Sequence, residues 1–397
     1  MWEIMVAQCC QRNVAKAVSP IHASIDQNKS PPISPHSPQA SPTQRKMVRF
    51  RIESILKVLY GIIGVLLVVL VLRIVTSLPF RPKGMLDEHQ GELSTADPLI
   101  TKIDKQCGAN GVCFTVVDIV IDTEGSLVQR ATYADGFESE YDTVVALVTP
   151  KGYSYADSDT RLWAVNHWVS TTQYVAAMLC HPFGVSSLAM DGDGAGGNVL
   201  VIGLGGGNFD MLLHKRKPKL NITVIEIEPV VISIAEKWFA VKDDATRHTI
   251  LADGITFMES ARKQGHTYNA VILDACDDNK DLPCPAKVFR NPKVFADARA
   301  ILSPMGVLVV NVLPLTTVPE SDVTFILHQL LEHFPTCLIM EMSVEANRVI
   351  SCLPYAISGD SVEHSRDLIN DRLKKAAAML GVSDAFQVHT LNLLSAP

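Results

Sequence analysis

Two features about twenty residues apart carry the first chemical signal. The apolar stretch Asn198–Ile202 (NVLVI) runs straight into Gly203, Gly205, Gly206 and Gly207. Glycines let a main chain turn sharply and approach a ligand without a Cβ clash, and the helix expected from about Phe209 offers free N–H groups at its start. Alone, such a run suits a structural loop, an NAD site or another nucleotide-type ligand. The next strand ends in Glu226 of VIEIEP, where a carboxylate can accept both hydroxyls of a ribose. Glu226 and Glu228 have a second available role, capping the helix that begins at Pro229.

Two further strand ends carry acids. The third strand closes on Ala252-Asp253-Gly254; Asp253 can accept the amino group of an adenine or N-cap the following helix. The fourth closes on Asp274 of VILDACDDNKD, with Asp277, Asp278 and Asp281 behind it. Open α/β sheets place their ligands at this carboxyl edge. A carboxylate there can hold a positive amine and orient a nucleophilic nitrogen for in-line attack. Asp274 and Asp277 are thus the catalytic candidates, whereas Asp278 and Asp281 suit a solvated acidic loop. The cofactor-binding candidates are Gly203, Gly205, Gly207, Glu226, Asp253 and Gly254.

Positioning these residues requires strands alternating with helices. From residue 198 the pattern gives strands at 198–202, 221–225, 249–252, 269–274 and 306–312, then TCLIMEM from Thr336 and NRVISCL from Asn347, which read as a terminal hairpin. The class is α/β, a doubly wound and mostly parallel sheet with an antiparallel end. Upstream, VCFTVVDIVID, LVQRATY and YDTVVALVTP read as strands of a small β lid, followed by a helix over 171–180.

The amino-terminal third differs. Residues 1–54 are polar and repeat Ser-Pro between Ser19 and Pro42, a composition with too little apolar surface to offset ordering entropy; such sites also suit proline-directed phosphorylation. Val58–Leu72 is continuously apolar apart from glycine and tyrosine, between Lys57 and Arg73. It reads as one transmembrane helix over 55–77, anchoring the protein to a membrane as a single-pass chain. The basic residues before it outnumber those after it, which favours a cytoplasmic tail; the cytosolic origin of the expected cosubstrate argues the other way, and the side stays open. The expected division is a tail at 1–54, the span at 55–77, a linker at 78–110, the lid at 111–190 and the main domain at 191–397. A formal net charge of -7 gives no global attraction to nucleic acid. Nine cysteines without C-x-x-C pairs or a histidine partner offer no metal site. Cys107 with Cys113, or Cys337 with Cys352, are the pairs that an oxidising lumen would join.

VLVIGLGGGN, VIEIEP, LADG and YNAVILDACDD stand in the order found in the class I S-adenosylmethionine-dependent methyltransferase and spermidine synthase-like superfamily, which residues 110–355 resemble. Within it, IGLGGG, AEKWF at 235–239, the ADG step and CPAKVF followed by ILSPMGVLVVNV resemble the carboxyl-terminal domain of the methyltransferase-like proteins that modify elongation factor 1-alpha. The resemblance implies a seven-stranded Rossmann-like methyltransferase sheet and S-adenosylmethionine as cosubstrate, without a metal. It implies that Gly203, Gly205, Glu226 and Asp253 hold the cosubstrate, and that a nitrogen of a protein substrate, an N-terminal amine or a lysine, is methylated. A homodimer is compatible with the sequence. Spermidine synthases carry an aspartate in their glycine loop where Gly206 stands here, which disfavours aminopropyl transfer. The other rival is a catalytically silent membrane scaffold with the same fold.

Overall fold

A computed structural model describes residues 99–395, apart from 123, 139 and 358–360. The expected Ser-Pro tail and the span at 55–77 lie outside the described residues; among the described residues no helix is long and apolar enough to cross a membrane.

The chain first forms a five-stranded antiparallel meander of β1 (Ile100–Cys107), β2 (Cys113–Val120), β3 (Val128–Ala134), β4 (Thr143–Val148) and the two-residue β5 (Ala164–Val165). Strand β1 falls inside the stretch read as linker. Its sequence, ITKIDKQC, carries little apolar surface and alternates between exposed and half-buried positions. What fixes it is its ladder with β2, in which Cys107 sits opposite Cys113 and is bridged to it. Helix α1 (Gln173–Gly184) follows, buried along nearly its whole length.

The main sheet has eight strands: β6 (Asn198–Ile202), β7 (Asn221–Glu226), β8 (Arg247–Leu251), β9 (Tyr268–Leu273), β10 (Leu302–Val312), β11 (Thr336–Met342), β12 (Arg348–Leu353) and β13 (Val388–Ser395). Their order is β13-β11-β12-β10-β9-β6-β7-β8. Strands β10, β9, β6, β7 and β8 run parallel, while β12, β11 and β13 close one side antiparallel. The sheet therefore has one strand more than the seven expected. The addition, β13, is an edge strand of half-buried residues that pairs with β11, so neither a continuous apolar run nor a strict alternation marks it in the sequence.

Alternate residues of the central strands feed two apolar layers. Val199, Val201, Ile222, Val224, Ala270 and Ile272 pack on one face with α1, α2 (Asn208–Arg216), α3 (Pro229–Trp238) and α7 (Val362–Leu380). Leu200, Ile202, Ile225, Val271 and Leu273 pack on the other with α4 (Gly254–Gln264), α5 (Pro292–Ala300) and α6 (Pro319–Leu331). Strands buried on both faces read as continuous apolar runs, the pattern that made them legible. Because β6 lies between β9 and β7, the loops after β6, β7, β8 and β9 converge on one edge of the sheet.

Candidate functional site

The turn after β6 is built by conformation. Gly203, Gly205 and Gly207 all have positive φ, and a Cβ on Gly203 would overlap the Asp274 carbonyl oxygen. Only glycine lets this turn pass so close to the end of β9. The small sheet holds the turn from above: Thr143 Oγ1 accepts from the Gly206 N–H at 2.8 Å, and Asn208 Nδ2 donates to the Val144 carbonyl at 3.0 Å.

Glu226 ends β7 with its side chain buried. One carboxylate oxygen accepts from the Leu204 N–H at 3.0 Å and the other from the Glu228 N–H at 2.8 Å. Desolvation raises its pKa against the lowering effect of these bonds. Each oxygen retains a lone pair for a further donor, so the carboxylate is positioned by the protein and still able to accept from a diol. Asp253 N-caps α4 through a 2.7 Å bond from the Thr256 N–H; it also borders the cavity described below, so capping and ligand contact are compatible.

Asp274 follows β9. Its Oδ1 accepts from Asn311 Nδ2 at 2.8 Å, and Asn311 in turn accepts from Asn347 Nδ2 at 2.9 Å. Desolvation is the larger influence and pushes the Asp274 carboxyl up to about 6, against the lowering Asn311 bond. Asp277 does different work, accepting from the N–H groups of Asn279 and Lys287 and so ordering the acidic loop. That loop is closed by a Cys276–Cys284 bridge, a pairing absent from the sequence reading. Cys337–Cys352 is also joined, across β11 and β12.

These groups surround one cavity of about 690 Å³. Gly203, Gly205, Glu226, Asp253, Gly254, Asp274 and Asp277 all line it, whereas Gly207 does not. Gly207 instead turns the chain into α2, with no room for a Cβ beside Val241. The sequence reading missed Asp142, Thr143, Tyr174, Asn311, Glu345 and Asn347, which line the cavity as well. Asn311 had a signal, a lone polar residue inside VLVVNV. Asp142, Tyr174 and Glu345 had none, because they arrive from the small sheet, the start of α1 and the β11–β12 turn. The lining includes ten Asp and Glu residues and no Lys, Arg or His. A cation-bearing occupant is the one this field favours.

No family model matches the sequence. The chain is 33% identical over 159 residues to the eEF1A lysine and N-terminal methyltransferase homolog of Drosophila melanogaster, covering 39% of this chain and 23% of that protein. It is 30% identical over 184 residues to the eEF1A lysine and N-terminal methyltransferase of Xenopus laevis, covering 45% and 26%. The sequence is similar to these methyltransferases. The matched regions span about a quarter of the length of these relatives. Among solved structures, human methyltransferase-like protein 13 in complex with SAH aligns over 53% of this chain and 90% of that one, at 21% identity and a TM-score of 0.44.

The site's own geometry suits a nucleoside that carries a positive charge. A buried carboxylate with spare acceptor capacity stands beside a glycine turn, for a ribose. Asp210 is paired with Arg247 at 2.6 Å and Asp277 stands 4.0 Å from Arg290, and the other lining acids form a hollow that suits a sulfonium and an amine. Among the described residues no group of three or more His, Cys, Asp or Glu converges as a metal site.

Proposed function

We propose that this chain is an S-adenosylmethionine-dependent methyltransferase that transfers a methyl group to a nitrogen of a protein, an N-terminal amine or a lysine. Glu226 holds the ribose, Gly203 and Gly205 admit the cosubstrate to the turn, Asp253 and Gly254 border the base, and Asp274 faces the acceptor. One observation carries this reading: the glycine turn, Glu226 and Asp274 open into a single acidic cavity at the carboxyl edge of the parallel strands. The bound cosubstrate would supply an activated methyl group; the protein's part is alignment and charge. The likeness to the eEF1A methyltransferases supports a protein acceptor.

Aminopropyl transfer is the weaker reading. A Cβ on Gly206 would lie 2.7 Å from both Phe239 Cδ1 and Thr143 Cγ2, so the amine-facing aspartate of the spermidine synthases has no room here. We further propose that residues 55–77 anchor the catalytic unit to a membrane.

Calorimetric titration of the purified chain with S-adenosylmethionine should show micromolar binding. Incubation with tritiated S-adenosylmethionine and recombinant elongation factor 1-alpha should label that protein. Absence of S-adenosylmethionine binding would overturn the methyltransferase reading.

A further inference from the structure

Six of the seven cysteines among the described residues are paired. Two of the pairs stand directly opposite each other on antiparallel neighbours, Cys107 with Cys113 on β1 and β2, and Cys337 with Cys352 on β11 and β12. The third closes the acidic loop. Their surroundings differ. Cys337 and Cys352 are fully buried, beyond the reach of a soluble thiol, whereas Cys107 and Cys276 are exposed. An exposed bridge persists where the surrounding thiol pool is oxidised, because exchange with a reduced pool opens it. The charges that flank the expected span point the same way. Arg45, Lys46, Arg49, Arg51 and Lys57 precede it, and Arg73, Arg81 and Lys83 follow it, a bias that keeps the tail cytoplasmic and exports what comes after.

The sequence holds two Asn-x-Ser/Thr triplets without a central proline, Asn28-Lys29-Ser30 in the tail and Asn221-Ile222-Thr223 in the catalytic unit, one on each side of the expected span. Such a triplet is the acceptor signal for N-linked glycosylation of an exported chain. Asn221 has the room that a glycan needs. It is exposed at the first position of β7. Its Nδ2 donates one bond, to Asn198 Oδ1 at 3.0 Å, which leaves its second hydrogen free. As the first residue of a parallel strand it lies on the amino edge of the sheet. Glu226 is five residues further along β7, about 16 Å at the rise of a parallel strand, so a bulky group on Asn221 stays clear of the cavity. We propose that the catalytic unit faces an oxidising lumen and that Asn221 carries an N-linked glycan there. In the transfer, Asn221 Nδ2 bonds to C1 of a sugar carried on a lipid diphosphate. The C1–O bond to the diphosphate breaks with its electron pair staying on oxygen, and one Nδ2 proton is released. The remaining Nδ2 hydrogen keeps its bond to Asn198. This inference goes beyond the methyltransferase reading and does not depend on it. Where both hold, the acceptor amine belongs to an exported protein, and elongation factor 1-alpha serves in the labelling assay as a surrogate.

The test translates the full-length chain in the presence of endoplasmic reticulum microsomes. Wild type should gain one glycan, seen as a mobility shift that an endoglycosidase removes. N221Q and T223V should lose the shift completely, whereas N28Q and T223S, which preserve the triplet at 221, should keep it. The sugar is added as the chain enters the lumen, so the readout does not require any variant to fold. Protease added outside the sealed microsomes should spare the catalytic unit, and maleimide added on lysis, before any reductant, should leave Cys107, Cys113, Cys276 and Cys284 unlabelled. A glycan that N28Q removes and N221Q retains would invert the topology and overturn the proposal, as would digestion of the catalytic unit with neither asparagine modified. A protected unit without a glycan would overturn the assignment of Asn221, and labelling of the four cysteines would overturn the oxidising environment. In calorimetry N221Q should bind S-adenosylmethionine as wild type does. Failure of both to bind would remove the methyltransferase reading and leave this one standing.

Discussion

At the scale of single residues, Glu226 and Asp142 share a chemistry and differ in how the protein uses it. Both carboxyls are raised by desolvation, but Glu226 receives main-chain N–H bonds from Leu204 and Glu228, whereas Asp142 is opposed only by a main-chain bond at Ala134. Glu226→Ala removes the acceptor proposed for two hydroxyls and should lower S-adenosylmethionine affinity by about 1.5–3 kcal/mol; unchanged affinity in calorimetry would remove Glu226 from the ribose site. Asp142 leads to a prediction of opposite kind. Its folded pKa of about 7 exceeds the ordinary aspartate value of 3.8, so between these values the folded state holds a proton that the unfolded chain has released. Stability is therefore lost as pH rises between those two values and stays lost above the upper one. D142N lacks this penalty: its melting temperature without ligand should exceed that of wild type at pH 8, and the gap should shrink toward pH 4.

Elements explain why some of this was legible and some was not. Strands β6, β7, β9 and β10 bury both faces, so their apolar runs and the residues that end them, Gly203, Glu226 and Asp274, could be read directly. Strands β1 and β13 show only partial burial and are held by their partners' ladders, an interaction no local window contains. The acceptor side was illegible for a related reason: Asp142, Tyr174 and Glu345 lie far apart in the chain, and only the seating of the small sheet and α1 over the main sheet brings them together. Strand β4 is the element that couples the two sheets at the site, through Thr143 and Val144. Thr143→Val keeps the shape but leaves the Gly206 N–H without its acceptor, at a cost of about 1–3 kcal/mol in stability. Denaturant unfolding should register that loss. An unchanged midpoint would mean that the turn holds itself.

For the molecule as a whole, a buried ion pair ties the small sheet to the main domain. Arg130 of β3 makes a two-pronged bond to Asp118 of β2, at 2.8 and 2.9 Å, and reaches the Trp238 carbonyl at the end of α3 at 3.1 Å. Both side chains are essentially inaccessible. Removing one partner strands a buried charge, so Arg130→Ala should cost about 3–5 kcal/mol, measured by the same unfolding experiment; a loss below 1 kcal/mol would show that the sheets dock without this tie. The acidic cavity also has a kinetic corollary. A sulfonium becomes a neutral thioether once its methyl group departs, so the electrostatic pull of the unpaired lining acids on the fresh cosubstrate is weaker for its spent form. Under the proposed activity, ejection of the used molecule is driven by its own discharge, and the cycle can reset without a moving gate.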